Sequence, residues 1–297
     1  MNPSFPQSVQ LATGPGGFPR FEVNSPLAQA DVYLHGAHIA HYAPAGEAPL
    51  LFLSRQSYYE AQKPIRGGVP VVFPWFGERP EGGPAHGFAR LRSWAAETVS
   101  EESDGTVTLV LRLNPDEETT RLWRGDWVLR HRITIGRTLA MELQITNTGS
   151  TPLECEEALH TYFAVHNVRE IDVAGLENAE YLTVIEDAPR KRQDGEPIRF
   201  RRETDRAYIN TESDLAIHDP GFSRTIVIRK SQSRSTVVWN PWSGKARAMV
   251  DFDENEWPSM VCVETGNLKD NRLVIEPGTT HSTRTELITR PLSFTRS

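Results

Sequence analysis

Between Thr138 and Asn147 the chain alternates. Leu139, Met141, Leu143 and Ile145 are apolar, and Ala140, Glu142, Gln144 and Thr146 stand between them. A period of two predicts a half-buried antiparallel strand. Related runs predict strands at Trp94–Val99 and Thr106–Leu113, joined by a polar turn, and at Trp127–Ile135. Leu27–Tyr42, broken by Gly36, reads as two strands around a tight turn, and Leu50–Leu53 as a short apolar run. Leu153–Val165 reads as extended. Further strands are expected at Ile171–Val173, Ala207–Ile209, Leu215–His218, Thr225–Lys230, Ser235–Trp239, Met260–Glu264, Arg272–Glu276 and Thr283–Thr289. Glu186–Arg202 reads as a charged loop, Lys245–Val250 as a short helix, and Met1–Phe21 as a loose lead-in or a short edge strand. No long stretch of helical period and no repeat interrupts this pattern. Many short strands with turns between them predict an all-β sandwich or barrel, with residues 1–297 as one domain.

One stretch does not fit the alternation. From Pro64 to Trp94 the sequence is P-I-R-G-G-V-P-V-V-F-P-W-F-G-E-R-P-E-G-G-P-A-H-G-F-A-R-L-R-S-W. Gly67–Gly68 permits unusual dihedrals and close backbone approach, while Pro70 and Pro74 interrupt any ladder between them. The segment is either a well-packed loop over a sheet end or a binding floor. In the second case its aromatics would offer a flat ligand face, and Arg66 and Arg90 would take an anion.

Composition narrows the partners. The chain has 297 residues, 38% hydrophobic and 24% charged, with a net charge of -7 and a pI near 5.8. That balance argues against nucleic acid or an anionic membrane, both of which reward basic faces. A chain of this size buries roughly 75% of its unfolded surface and needs no disulfide staples. Cys155 and Cys262 form no CxxC, the N-terminus has no signal-like pattern, and no run approaches ~20 apolar residues. A reducing, cytoplasmic setting is expected.

Candidate chemistry rests on few residues. His35, His38 and His41 lie in strand-like sequence, where a spacing of three points side chains to opposite faces. His160 and His166 would stand roughly 20 Å apart along a strand. With no HExxH and no Cys/His set, no metal site is expected. GxSxG, GxGxxG and P-loop patterns are missing too. His160, in E-E-A-L-H-T-Y-F, is either a catalytic acid or a core histidine bonded to a carbonyl. Glu264, in M-V-C-V-E-T-G-N, shares a face with Cys262 and either meets water or is held in a site, because a lone buried carboxylate is costly. Asp205 reads more simply as a turn or surface ion pair. V-V-W-N-P-W at Val237–Trp242, with Lys245, is an aromatic wall or a hydrophobic turn.

Taken in order, R-G-G-V-P-V-V-F-P-W-F-G from Arg66, H-G-F-A-R from His86, A-L-H-T-Y-F from Ala158, V-V-W-N-P-W from Val237 and V-C-V-E-T-G-N from Val261 closely resemble the hexose-6-phosphate mutarotase branch of the aldose 1-epimerase family. The resemblance runs from about Phe21 to Leu287. It implies a galactose-mutarotase-like antiparallel supersandwich and interconversion of the α and β anomers of a hexose 6-phosphate without a cofactor; a monomer is expected. It further implies His160 as general acid and Glu264 as general base, with Arg66, His86, Arg90 and Asp205 in substrate binding. Ala85 departs from the polar residue that often precedes H-G-F-A-R. Two other readings compete: a general aldose 1-epimerase and a non-catalytic carbohydrate-binding protein. A glycoside hydrolase usually needs two flanking carboxylates, and one convincing carboxylate is found.

Overall fold

In the alternating segment, strand Leu139–Asn147 buries every second residue, as its period requires, and strand Trp127–Ile135 does the same beside it. The computed structural model describes residues 5–79, 81–186 and 189–292. Among them these two strands sit in a nine-stranded antiparallel sheet, flanked by Val107–Leu113 and Ala95–Glu101 on one side. On the other side run Thr280–Pro291, Arg224–Ser231, Leu215–Asp219, Asp172–Ala174 and Ile198–Arg199. An eight-stranded sheet centres on Met260–Asn267, between Ser235–Asn240 and the short strands Glu157–Leu159 and Tyr162–Ala164. The lead-in holds an edge strand: Val9–Thr13 pairs with Pro19–Asn24 at the rim of a four-stranded meander. The architecture is mostly antiparallel β-sheet, as the period-two pattern led one to expect and as the supersandwich implied by the resemblance requires.

The central strands of the eight-stranded sheet do not alternate. All eight residues of Met260–Asn267 and all six of Ser235–Asn240 are buried. Polar groups there have to find partners inside the protein, and most do, although Glu264 Oε2 has none among the described residues. Thr283 of the nine-stranded sheet donates to Glu157 at 2.6 Å, and Asn267 donates to Glu157 at 2.8 Å, which joins the two sheets. Leu153–Val165 is extended but broken into three short strands, because it leaves one partner and meets another on the way. Glu186–Arg202 is not simply a loop: Arg190–Arg192 and Ile198–Arg199 each pair at a sheet edge. The helix foreseen from Lys245 starts earlier, at Trp242, and ends at Ala248. A second helix, Glu117–Leu122, begins with a reciprocal cap between Asp116 and Thr119.

Candidate active site

Register assembles the site. In antiparallel pairs, residues directly opposite one another share a face. Asp205 lies opposite Trp239, Trp239 opposite Cys262, and Cys262 opposite Tyr162. This row brings Asp205 to the same face as Cys262, and Glu264 stands two positions further along its strand on that face. His160 occupies the gap between Glu157–Leu159 and Tyr162–Ala164, both of which pair with the strand of Glu264. Its backbone N–H is held by the Pro70 carbonyl at 3.0 Å, and its ring stacks on Tyr162 with 4.8 Å between centroids.

The result is direct contact. His160 Nε2 lies 3.2 Å from Glu264 Oε1, and the two residues are 6% and 1% exposed. Burial disfavours a charge on either group. It holds the Glu264 carboxyl well above the ordinary carboxylate range, helped by Asp205, and holds the His160 imidazole well below its ordinary value, helped by His86, Arg90 and Arg66. Desolvation outweighs the attraction that a carboxylate and an imidazolium would have for one another here.

The remaining predicted residues surround this pair. His86 has a left-handed φ of 60°, a costly conformation outside glycine. The Gly77 N–H points at its Nδ1 at 3.4 Å, and its ring meets His160 edge-on at 5.6 Å. Burial, then Arg90 and Arg66, push the His86 imidazole down to about 3, so it is neutral. Arg90 is 8% exposed. Its Nη2 donates to the Ala85 carbonyl at 2.6 Å, and its Nε has no partner among the described residues. Burial and the nearby Arg66 pull Arg90 down to about 10. The residue whose side chain seemed to be missing, Ala85, thus contributes its carbonyl. Arg66 donates through Nε and Nη2 to Asp251 at 3.1 and 3.0 Å, and through Nη1 to the Tyr162 hydroxyl at 3.0 Å. Asp205 is no surface ion pair of the ordinary kind. It is half-buried, 3.9 Å from Lys245 Nζ, and burial raises its carboxyl. Arg92, another candidate cation, pairs with Glu118.

Two participants escaped the sequence reading. Asp251 carries no local signal that it pairs with Arg66, which is far away in the chain. Cys262 was seen to share a face with Glu264, but its convergence with His160 was not: one ligand-type atom from each of His160, Cys262 and Glu264 lies within 4.8 Å of the others. Such a donor set can hold zinc elsewhere. Here burial and Glu264 hold the thiol well above its ordinary range, and Arg66 and Arg90 add positive charge, so the surroundings fit a cation poorly.

The sequence family described as aldose 1-epimerase matches residues 19–287. The chain belongs to the aldose 1-epimerase family. Within it, a protein of Cenchrus ciliaris provisionally named glucose-6-phosphate 1-epimerase is 34% identical over 275 residues, covering 89% of this chain and 82% of that protein. One of the same provisional name from Escherichia coli K12 is 33% identical over 260 residues, covering 87% and 86%. A crystal structure from Salmonella typhimurium, provisionally called a mutarotase, superposes with a TM-score of 0.86 at 28% identity, covering 95% of this chain and 97% of that one. The galactose 1-epimerase of Lactobacillus acidophilus shares the fold, with a TM-score of 0.73 at 13% identity over 97% and 99% of the two chains. This aldose 1-epimerase family member is accordingly an isomerase.

Proposed function

We propose that this epimerase interconverts the α and β anomers of a hexose 6-phosphate, glucose 6-phosphate foremost, with His160 and Glu264 moving the protons. The observation that carries the reading is the buried contact of 3.2 Å between His160 Nε2 and Glu264 Oε1. Ring opening needs one base and one acid at the same pH. Glu264 takes the proton of the C1 hydroxyl as the C1–O5 bond breaks and C1 becomes a carbonyl. His160 gives its proton to O5. The aldehyde turns about C1–C2, and the same transfers run backwards on closure. When the pair holds one proton, placing it on His160 leaves Glu264 as the carboxylate and so generates both working forms.

The phosphate half of the reading rests on cations near the pair. Arg90 has an Nε–H in reserve, Arg66 is partly engaged by Asp251 and Tyr162, and Lys245 stands beside Asp205 and Glu203 at 3.9 and 3.5 Å. The provisional names of the Cenchrus and Escherichia relatives favour the same substrate. The reading includes a cytoplasmic monomer; among the described residues no helix is long and apolar enough to cross a membrane.

Glu264→Gln keeps the shape of the side chain and removes the proton transfer. Catalysed anomer exchange of glucose 6-phosphate is expected to fall by ~10²–10⁴-fold, the usual worth of positioned acid–base groups. Exchange at the native rate would overturn the assignment.

A further inference from the structure

Two walls of the site come from separate parts of the chain. One is the loop through Phe76 and His86; the other is the turn through Lys269 that follows strand Met260–Asn267. A single side chain joins them. Glu156 is half-buried and immediately precedes strand Glu157–Leu159, which leads into His160. Its Oε2 accepts the Phe76 N–H at 2.8 Å, and its Oε1 accepts the Lys269 N–H at 2.5 Å. Its own N–H donates to the Pro74 carbonyl at 2.9 Å. Both carboxylate oxygens are thus spent on backbone amides, a strong class of hydrogen bond.

Lys269 has a left-handed φ of 56°, which a residue with a Cβ adopts at a cost. In that conformation its N–H meets Glu156, and its exposed side chain sets Nζ 5.4 Å from the Phe76 ring centroid. Phe76 meets His86 edge-on at 4.7 Å, and His86 meets His160 at 5.6 Å. Lys269 also acts electrostatically on both His86 and Asp205.

We propose that Glu156 is a positioning residue that fixes Phe76 and Lys269 as the substrate-contacting rim of the site, and so sets affinity for the sugar phosphate rather than the rate of ring opening. It touches no reacting atom and acts only through the two amides it holds. The inference rests on the epimerase reading above. If Glu156 served stability alone, its loss would lower the melting temperature and leave the KM of the folded protein unchanged.

The test measures kcat, KM and melting temperature with glucose 6-phosphate for Glu156→Gln, Glu156→Ala, Lys269→Ala and the Glu156→Ala/Lys269→Ala double variant. Glu156→Ala is expected to raise KM by about tenfold and to leave kcat within about twofold, with Glu156→Gln in between because it keeps one acceptor oxygen. Lys269→Ala raises KM as well, and the double variant raises it by less than the product of the two single effects, because Glu156 acts partly through Lys269. Wild-type KM in Glu156→Gln and Glu156→Ala, or fully multiplicative effects in the double variant, overturns the proposal. Should Glu156→Ala not fold, the proposal stands or falls on Glu156→Gln: a raised KM supports it, and a wild-type KM overturns it. A wild-type protein without exchange on glucose 6-phosphate defeats the function; an active wild type whose variants keep their KM defeats only this inference.

Discussion

A charge kept away from water is expensive unless something uses it, and Arg90 is such a charge. Its guanidinium is buried beside another arginine, has an unpartnered Nε–H among the described residues, and is pulled down to about 10. If that donor is reserved for substrate, Arg90→Met should hold or raise the melting temperature and raise KM for glucose 6-phosphate by about tenfold, the weight of one lost hydrogen bond to a charged group. A drop in melting temperature with unchanged KM would instead make Arg90 a structural residue. His160 and Glu264 were legible as site residues through the A-L-H-T-Y-F and V-C-V-E-T-G-N motifs of the family resemblance, whereas their local sequence left each open between a site and a structural role. Their charge states were not. A motif says nothing about desolvation, which works against charge on both groups.

At the level of elements, alternation was readable where one face meets solvent, as in Leu139–Asn147. It was weak in Met260–Asn267, which is buried on both faces and carries Glu264 and Asn267 in an otherwise apolar and small setting. Short pieces at the end of a sheet such as Glu180–Leu182 and Arg190–Arg192 left no signal, since three residues cannot establish a period. Asp205 reached the site through cross-strand register with Trp239 and Cys262, a long-range pairing that no local motif encodes.

The junction between the sheets makes its own prediction. Glu157 is fully buried, its Oε2 has no partner among the described residues, and burial raises its carboxyl to about 7 against the donors Thr283 and Asn267. A carboxyl whose folded pKa is raised contributes stability that is present below its unfolded pKa, near 4.5, and is lost as pH rises through about 7. Glu157→Gln resembles the protonated acid at every pH. Its unfolding free energy should match wild type near pH 4.5 and exceed it by about 3 kcal/mol at pH 8, from 1.36 kcal/mol per pKa unit. Chemical denaturation at the two pH values checks this, and a variant less stable at pH 8 would contradict it.

Over the whole molecule, buried neutral histidines set the acid limit. Burial takes His131 down to about 4 and His38 to about 3. Groups with depressed folded values contribute stability that is present above about 6.5 and lost as pH falls toward those values. Glu157 works in the opposite direction over part of that range, so Glu157→Gln should also lose stability more steeply than wild type between about pH 6.5 and 4.5. At this scale the sequence motifs carried the family, because five of them occur in order along the chain. In three dimensions they meet around His160 and Glu264, the proposed site of ring opening.

Catalysed ring opening of a sugar phosphate is read by magnetisation-transfer NMR at anomeric equilibrium, with glucose 6-phosphate and glucose measured side by side. Enhanced exchange between the α and β signals of glucose 6-phosphate is expected, with much weaker enhancement for glucose. Equal enhancement for both sugars would contradict the role given to the cations near the pair, and no enhancement for either would contradict the acid–base role of His160 and Glu264.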